Sequence, residues 1–374
     1  INILFILSVY HAMSHGNKNL KSLSLNSYLK WYVLTSVIAL TVGYMFLEEK
    51  ASGNWKTMKD QLIPIFLVFI VQRSASDAIQ WRRIFLACLL PLPYCFKVVW
   101  TQYLSVSSWH YSDDLRISGT FMDLGANEMA AYSVTMALVC LSCIITCWDD
   151  IKYRAAFIMA FVFSGASILY SYSRGGYIAF LLGAIVIFLK YKNTGKLLLP
   201  SFVILSLCMF NLPPSVSERI SRIYAEEGER DESAESRFVF WEIAFNKFLE
   251  RPVVGYGYLT AQDPRINPHE MDTHNYYVKM LVERGVLGFL TYLFLLRVLW
   301  GTVKENINWH DNDNLGNGLI LGMSGAIAAL MLGNMFGDRF SHYPIITSFF
   351  VFIALISVTN NNLDKGENDS ETSN

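Results

Sequence analysis

The sequence carries little charge. Only 16% of its 374 residues are Asp, Glu, Lys or Arg, whereas a soluble chain has about 25%. Hydrophobic residues make up 53% of the chain, and its mean hydropathy is +0.32. The net charge of −1 and the lack of a basic run give no case for nucleic acid as a partner. These values predict an integral membrane protein.

Several familiar enzyme motifs are missing as well. The chain has no Gly-x-x-x-x-Gly-Lys nucleotide loop, no His-Glu-x-x-His and no Gly-x-Ser-x-Gly. Its six Cys lie in or near apolar stretches, and Cys140, Cys143 and Cys147 share one helical face. We interpret these three as packing residues rather than as a metal or redox site. The sequence therefore predicts neither a metal nor a cofactor.

Apolar segments that suit a bilayer recur along the whole chain. We place them at about 1–10, 31–47, 62–72, 84–99, 127–147, 155–173, 175–190, 196–211, 276–300, 316–336 and 344–359. They predict an all-α, polytopic membrane helix bundle of about 11–12 transmembrane helices. Because the sequence begins at Ile1 inside an apolar stretch, we expect its first span to be incomplete.

The domain organisation predicted from these spans is simple. Residues 1–359 form one integral membrane domain, and 212–275 is its extracytoplasmic loop region. Residues 360–374, Asn-rich and then acidic, are expected to be a disordered cytoplasmic tail. With this orientation the short cytoplasmic connections carry more Lys and Arg than the outer ones, as the positive-inside rule requires.

This orientation places a set of polar residues on the outer face: Arg116, Arg174, Arg237, His274, Arg339 and His342. An arginine pinned between apolar segments is costly unless it meets an anion, and its planar guanidinium suits phosphate. Each residue also has a structural interpretation. Arg116 suits a surface charge, Arg174 a snorkelling side chain, and Arg237 an ion pair with Glu235 or Glu242.

His274 opens a run that reads His-Asn, nine residues, then Gly285-x-x-Gly288. A neutral imidazole at a membrane surface can accept a proton from a hydroxyl at neutral pH. Two glycines three apart let a neighbouring helix approach closely. The alternative is that His274 merely caps the helix that follows it.

The loop region contains one amphipathic pattern. Phe238, Trp241, Phe245 and Phe248 recur at three- and four-residue spacing, which predicts a helix over 234–250 on the membrane surface or on the bundle. Pro252 ends the pattern, and the Gly-Tyr-Gly sequence at 255–257 predicts a turn.

Together these stretches resemble the O-antigen ligase and polymerase superfamily of bacterial envelope enzymes. The resemblance covers roughly residues 110–300 and rests on the following segments: Arg-Ile-Ser-Gly-Thr-Phe at 116–121 with Asn127, Tyr-Ser-Arg-Gly-Gly at 172–176, Arg237 with Trp241, Arg-Pro-Val-Val-Gly-Tyr-Gly at 251–257, and His274-Asn275 with Gly285 and Gly288. The last is the most specific.

The resemblance implies a GT-C-like glycosyltransferase that acts on the outer face of the bacterial inner membrane. Such enzymes move a glycan from undecaprenyl pyrophosphate to an acceptor hydroxyl without a metal. It implies that Arg174 and Arg237 bind the pyrophosphate and that His274 activates the acceptor. Arg116 and Asn275 are expected to bind substrate, with structural roles for the glycines at 285 and 288.

The resemblance implies two functions, a membrane protein of another class is a third, and the three are given in decreasing order of support. The first is an O-antigen ligase, whose acceptor is lipid A–core or a similar glycolipid. The second is a polymerase of the same superfamily, whose acceptor is another lipid-linked repeat. The third is a transporter of lipid-linked sugar, which would need ionisable groups deep in the membrane. Charges within the predicted spans are few: Lys97, and Lys279, Glu283 and Arg284 near the outer part of the His274 helix. The spacing of Lys279 and Glu283 also suits a simple i,i+4 pair.

Overall fold

The computed structural model describes residues 24–47, 51–75, 77–105, 116–191, 232–307 and 313–371. Within these ranges every regular element is a helix, and six helical segments are long and apolar enough to cross a membrane. The predicted fold class is confirmed: the chain is a polytopic α-helical membrane protein. The predicted spans at 1–10 and 196–211 lie outside the described residues.

The described helices are α1 (Ser24–Leu47), α2 (Ala51–Ser74), α3 (Ala78–Ala87), α4 (Pro91–Ser105), α5 (Ala126–Thr146), α6 (Ile151–Tyr170), α7 (Arg174–Lys190), α8 (Glu232–Glu250), α9 (Tyr276–Glu305), α10 (Asn314–Gly333) and α11 (Tyr343–Glu371). The predicted span at 84–99 is divided between α3 and α4, with a turn at 88–90. Pro91 begins α4, a position that suits proline because a first-turn N–H needs no helical partner.

Helix α11 extends beyond the apolar segment predicted at 344–359. It continues to Glu371, so helix occupies most of the segment for which the sequence predicts disorder. Extending a formed helix adds one hydrogen bond for each residue fixed, which a composition argument does not consider. The cytoplasmic position of this tail stays a prediction.

The chain divides into two compact units. The first comprises residues 1–88, 236–308 and 334–374, and so contains α1, α2, α3, most of α8, α9 and α11. In this unit Gln72 Nε2 on α2 donates to Ser357 Oγ on α11 at 2.9 Å. The Trp81 indole on α3 donates to the Leu355 carbonyl at 3.1 Å. These bonds fix α11 against two neighbours.

The second unit comprises residues 89–235 and 309–333, and its described helices are α4, α5, α6, α7 and α10. Helix α10 packs closely on α5 at Gly322, where an added Cβ would lie 2.6 Å from Val139 Cα. Ser142 Oγ reinforces this contact by donating to the Gly318 carbonyl at 2.6 Å. Small residues that let backbones approach, with a hydroxyl bonded across, are typical of helix pairs in membranes.

Candidate active site

The backbone turn at His274 immediately precedes α9. His274 has a φ of 50°, a left-handed conformation that is uncommon for a residue with a side chain. Its N–H donates to Asp272 Oδ1 at 3.1 Å, and the Thr273 hydroxyl donates to the Asn275 carbonyl at 3.1 Å. Such a conformation persists only where its surroundings hold it. The predicted base therefore stands in a turn that its neighbours constrain.

Asn275 is the residue that caps α9. Its side-chain oxygen accepts from the N–H groups of Tyr277 at 3.0 Å and Val278 at 3.3 Å, which would otherwise lack helical partners. The sequence allows His274 to cap α9, but in the structure its neighbour Asn275 does so. A substrate-binding role for Asn275 stays a prediction, and the capping bonds already occupy its carboxamide oxygen.

A buried ammonium group lies behind this turn. Lys279, on the first turns of α9, has a side chain that is only 6% exposed. Its Nζ lies 3.0 Å from Asp272 Oδ2 and 2.5 Å from Asp338 Oδ2. The i,i+4 pair suggested by spacing is not the main contact, since Glu283 Oε1 accepts from the Ala261 N–H at 3.4 Å. Lys279 instead joins the His274 turn to the segment before α11.

Asp272 is charged at neutral pH. Burial acts to raise the pKa of this carboxyl group, but the Lys279 charge and the hydrogen bonds from Lys279 and the His274 N–H hold the pKa at about 2. A carboxylate close to an imidazole favours the imidazolium form. The turn thus places a fixed negative charge near the proposed proton acceptor.

The segment before α11 also binds the start of α9 through Asn334. Its carbonyl accepts from the Tyr276 N–H at 2.8 Å. Its side-chain oxygen accepts from the N–H groups of Arg339 at 3.0 Å and Phe340 at 3.1 Å. Arg339 is buried, and His342 directly precedes α11. The structure therefore brings the 334–342 segment against the His274 turn.

Helix α9 is broken at Gly285, where φ is 62° and ψ is −165°. The loop at 252–257 supplies the hydrogen bonds that the break removes. The four bonds are Tyr256 N to Val282 O at 2.9 Å, Gly257 N to Glu283 O at 2.8 Å, Val286 N to Pro252 O at 2.8 Å, and Leu287 N to Val253 O at 3.2 Å. Non-helical backbone in a membrane span is tolerated where protein satisfies its polar groups.

The two motif glycines have a different purpose from the one expected. At Gly285 the close neighbour is loop backbone, not another helix. At Gly288 it is the side chain of Arg284 on the same helix, 2.2 Å from an added Cβ. The sequence predicts that a neighbouring helix approaches both glycines. The structure corrects this prediction, because loop backbone lies at Gly285 and the Arg284 side chain lies at Gly288.

The side chain of Arg284 links α9 to α1. It is buried, and its Nη1 donates to Ser36 Oγ at 2.7 Å. Its guanidinium carbon lies 5.2 Å from the Tyr32 ring and 5.3 Å from the Tyr258 ring. The Tyr32 hydroxyl in turn is hydrogen-bonded to the Tyr276 hydroxyl at 2.7 Å. Cation–π contact and hydrogen bonding together offset the loss of water around this charge.

Helix α8 is held against the His274 turn. The predicted helix at 234–250 is confirmed, with bounds of 232–250. The Trp241 indole donates to the Thr273 carbonyl at 2.7 Å. Arg237 is half-buried and lies one turn before Trp241, so the two share a helix face. The structure thus brings the Arg237 helix and the His274 turn together.

The buried face of α8 is not centred on the expected aromatic stripe. Phe240 and Ala244 are buried, and Ala244 packs in a cluster with Ala261, Ile266 and Val282. Phe238 and Phe245 are 66% and 51% exposed. A pattern with apolar residues on two faces does not reveal from spacing alone which face the fold will cover.

The remaining predicted residues lie in the second unit. Arg116 is half-buried, and its Nη2 donates to Asn127 Oδ1 on α5 at 2.5 Å. The next residue, Ile117, donates its N–H to the Tyr170 carbonyl at the end of α6 at 3.3 Å. Asn127, which belongs to the same sequence motif, is therefore the hydrogen-bond partner of Arg116.

Arg174 is the first residue of α7. Ser173 caps this helix by accepting from the Gly176 N–H at 3.2 Å. Gly176 faces α5, where an added Cβ would lie 2.9 Å from Ala130 Cβ. Since α6 ends and α7 begins within four residues, Arg116 and Arg174 lie at the same end of this unit. A helix N-terminus with an arginine suits an anion.

These observations define the class: a multi-pass membrane protein with a constrained histidine turn at the head of a broken helix. Residues 159–293 match the model of the family described as O-antigen ligase. The match confirms the resemblance to the O-antigen ligase and polymerase superfamily over this segment. It includes Arg174, Arg237 and His274, whereas Arg116 precedes it.

The chain also resembles a curated relative, an uncharacterized protein of Haemophilus influenzae. The two are 23% identical over 206 residues, which cover 48% of this chain and 52% of the relative. The chain thus spans about half the length of the curated relative that it matches.

Sequence reasoning missed three of the contacts that build this site. They are the ion pair from Lys279 to Asp338, the hydrogen bond from Trp241 to Thr273 and the hydrogen bond from Arg284 to Ser36. The available signal was the presence of Lys279 and Arg284 within an apolar span, because a charge there requires a partner. Sequence could not say which partner.

Proposed function

We propose that this protein transfers a glycan from undecaprenyl pyrophosphate to an acceptor hydroxyl on the outer face of the bacterial inner membrane, as an O-antigen ligase does. The observation that carries the proposal is the His274 turn. Its left-handed backbone, its bond to an ionised Asp272 and the buried Lys279 behind it hold one imidazole at the head of a membrane helix. The family match supports the same class of reaction.

In the proposed reaction the acceptor hydroxyl oxygen attacks the anomeric carbon of the donor sugar. The new carbon–oxygen bond forms as the bond to the pyrophosphate breaks. His274 takes the hydroxyl proton, and undecaprenyl pyrophosphate leaves with the bonding electron pair. Attack from the face opposite the leaving group inverts the anomeric centre. A positioned base typically contributes about 10²–10⁴-fold to the rate.

The arginines are proposed to stabilise the leaving pyrophosphate. Its negative charge grows as the bond breaks, and fixed guanidinium groups stabilise such charge most strongly where water is scarce. Arg174 begins a helix, whose N-terminal N–H groups add to the positive potential. Arg237 lies one turn from Trp241, which bonds to the His274 turn. We propose Arg116 as a further substrate-binding residue.

A polymerase of the same superfamily is the alternative. It would use the same donor chemistry on a lipid-linked repeat as the acceptor, and the family match is compatible with both. A transporter has less support. Its coupling sites use the exposed polar groups of broken helices, whereas loop backbone satisfies the break at Gly285. Lys279 is likewise committed to two carboxylates.

The test is glycan transfer by His274→Ala and Arg174→Ala variants in a strain that lacks the native gene. Envelope glycan and the lipid-carrier pool are compared on one gel, with membrane levels of each variant measured. His269→Ala is the matched control, since His269 lies in the same loop and its ring centroid lies 5.6 Å from that of Phe240 on α8. Long glycan retained on the carrier is the result expected for a ligase.

The other outcomes discriminate among the alternatives. Single repeats on the acceptor would identify a polymerase. Normal glycan in both variants, at normal membrane levels, would contradict the catalytic roles of His274 and Arg174. Transfer by the purified protein in detergent, where no compartments exist, would rule out transport as the main activity.

A further inference from the structure

We propose that Asp272, Lys279 and Asp338 form a clamp that positions His274, with Lys279 as its central cation. This inference rests on the proposed function, because it assigns a purpose to groups around the proposed base. The three groups act on His274 and do not touch substrate. All three lie in the same unit, and each contact of the clamp is a direct one.

The clamp is anchored at a single ammonium group. Lys279 Nζ lies 3.0 Å from Asp272 Oδ2 and 2.5 Å from Asp338 Oδ2, and both carboxylates are less than one-fifth exposed. Hydrogen bonds between charged groups are shorter and about twice as strong as neutral ones. Removing one partner of such a buried set leaves an uncompensated charge, so the three groups act as a unit.

The clamp reaches His274 through the second oxygen of Asp272. Oδ1 accepts from the His274 N–H at 3.1 Å while Oδ2 is held by Lys279. One carboxylate therefore fixes the backbone of a residue whose φ is 50°. Without that bond, His274 loses an interaction that stabilises its unfavourable left-handed backbone conformation.

The third member connects the turn to the last loop. Asp338 precedes Arg339, whose N–H donates to Asn334 Oδ1 at 3.0 Å, and the Asn334 carbonyl accepts from the Tyr276 N–H at 2.8 Å. The first turn of α9 is thus held twice by the 334–342 segment, once through an ion pair and once through backbone. A proton acceptor must be held within a few tenths of an ångström of its working geometry, and supporting contacts of this kind provide that precision.

The clamp also gives a reason for the position of the Asp272 carboxylate beside the His274 turn. Asp272 bonds through one oxygen to the His274 N–H, and its charge favours the imidazolium that forms when His274 accepts a proton. Lys279 keeps that carboxylate ionised and fixed. A shift of about 1 Å in a reacting group can reduce a rate about 100-fold. The clamp is therefore expected to influence turnover more than substrate affinity.

Two variants break the clamp in different ways. Asp272→Asn removes the carboxylate beside His274 but keeps an acceptor and a similar shape. The double variant Lys279→Gln, Asp338→Asn removes one cation and one anion together, so the net charge of the three groups is unchanged.

Lys279→Arg is the conservative variant, because it keeps the cation and two donors for the carboxylates. Lys247→Gln, which removes an exposed pair with Glu250, is the matched control.

The first readout is steady-state kinetics of the purified full chain with an undecaprenyl-pyrophosphate-linked glycan as donor. We expect kcat to fall about 10–100-fold in Asp272→Asn and in the double variant. The KM for the donor should stay near the wild-type value, since the proposed pyrophosphate-binding arginines are untouched. Lys279→Arg should recover much of the lost kcat, and Lys247→Gln should match the wild type.

The second readout needs no substrate. Diethyl pyrocarbonate modifies neutral, accessible imidazole, and mass spectrometry of peptides reports the rate at His274 alone. At pH 6 we expect faster modification of His274 in both clamp variants, because each of them frees the turn. In Asp272→Asn the loss of the carboxylate also favours the neutral imidazole. The rate at His269 in the same samples serves as the internal reference.

The two readouts separate this inference from the proposed function. If His274→Ala retains transfer, the proposed function fails, while the modification rate still reports whether the clamp holds His274. Unchanged kcat and unchanged His274 modification in both clamp variants would overturn the clamp. A loss of kcat that Lys279→Arg does not recover, with His274 modification unchanged, would overturn it as well.

Discussion

The carbonyl oxygen of Val253 occupies the space where a side chain at Gly285 would have to be. A Cβ at Gly285 would lie 2.3 Å from that oxygen, and the backbone there has a φ of 62°. Two sequence motifs more than 30 residues apart thus meet at the break in α9. This contact makes the glycine necessary on two independent grounds, space and backbone conformation.

We expect Gly285→Ala to destabilise the protein by at least about 2 kcal/mol, since a strained φ alone costs about 1–3 kcal/mol. Thermal unfolding of the purified protein in detergent measures the effect. Gly301→Ala is the matched control on the same helix, because its nearest outside atom would be 4.0 Å away. That change should be neutral or slightly stabilising. Equal unfolding temperatures for the two variants would contradict the role of the break.

The close packing of α10 on α5 leads to a second prediction. An added Cβ at Gly322 would lie 2.6 Å from Val139 Cα, a backbone atom that cannot move aside cheaply. Gly322→Ala should therefore reduce stability by roughly 1–3 kcal/mol. Gly165→Ala on α6 is the control, since nothing lies within 4 Å of its added Cβ. The stabilities of the Gly322→Ala and Gly165→Ala variants are compared by unfolding in detergent with increasing dodecyl sulfate. A larger loss of stability for Gly165→Ala would refute the packing argument.

The bond from Trp241 to Thr273 leads to a third prediction. Trp241→Phe keeps the aromatic bulk but leaves the Thr273 carbonyl without its indole donor, at a cost of about 1 kcal/mol. Because that carbonyl immediately precedes His274, we expect transfer to fall more than stability does. Transfer and unfolding temperature are measured on the same preparations. Trp55→Phe is the control, since Trp55 is 55% exposed; a similar loss in both variants would contradict a specific role for Trp241.

The fourth prediction concerns stability at low pH. The pKa of Asp272 is lowered from an ordinary value of 3.8 to about 2 in the folded protein. A lowered carboxyl pKa stabilises the fold above the unfolded-state value, and this stabilisation is lost as pH falls through the folded-state value. We therefore expect Asp272 to contribute on the order of 2 kcal/mol near neutral pH, lost between about pH 4 and pH 2.

Unfolding measured from pH 6 downwards tests this expectation. The wild type should lose stability more steeply than Asp272→Asn below about pH 4, because the variant has no carboxyl group to protonate at this position. Glu250→Gln gives a comparison with an exposed carboxylate, whose pKa is also lowered, first by the Tyr256 hydroxyl and then by Lys247. Parallel curves for the wild type and Asp272→Asn would show that Lys279 does not stabilise the ionised Asp272.

Much of the fold could be predicted because the relevant signals are local. Apolar content identified a helical membrane protein, and the spacing of aromatic residues located α8 within two residues of its bounds. The motif residues indicated a resemblance to a superfamily, and the match at 159–293 confirms this resemblance. The identity of the buried face of α8 could not be predicted, since Phe238 and Phe240 are equally apolar and only packing buries the second.

The sequence proposes residues for the candidate site but does not indicate their contacts. His274, Asn275, Gly285 and Gly288 were recognised from one run of sequence. The loop at 252–257 meets Gly285, whereas α1 and the segment before α11 bind neighbours of these residues, namely Arg284, Tyr276 and Lys279. The two glycines were expected to admit a helix, whereas one admits loop backbone and the other the side chain of Arg284.

The sequence by itself determined the membrane class, most helix positions and the chemical types present at the site. Hydropathy and residue spacing act over a few turns of chain, so a sequence displays them directly. Only the tertiary structure decided that Lys279 pairs with Asp338, 59 residues away, and that the loop at 252–257 completes the break in α9. A buried charge or an unpaired backbone group must find some partner, and which one it finds depends on how distant segments pack.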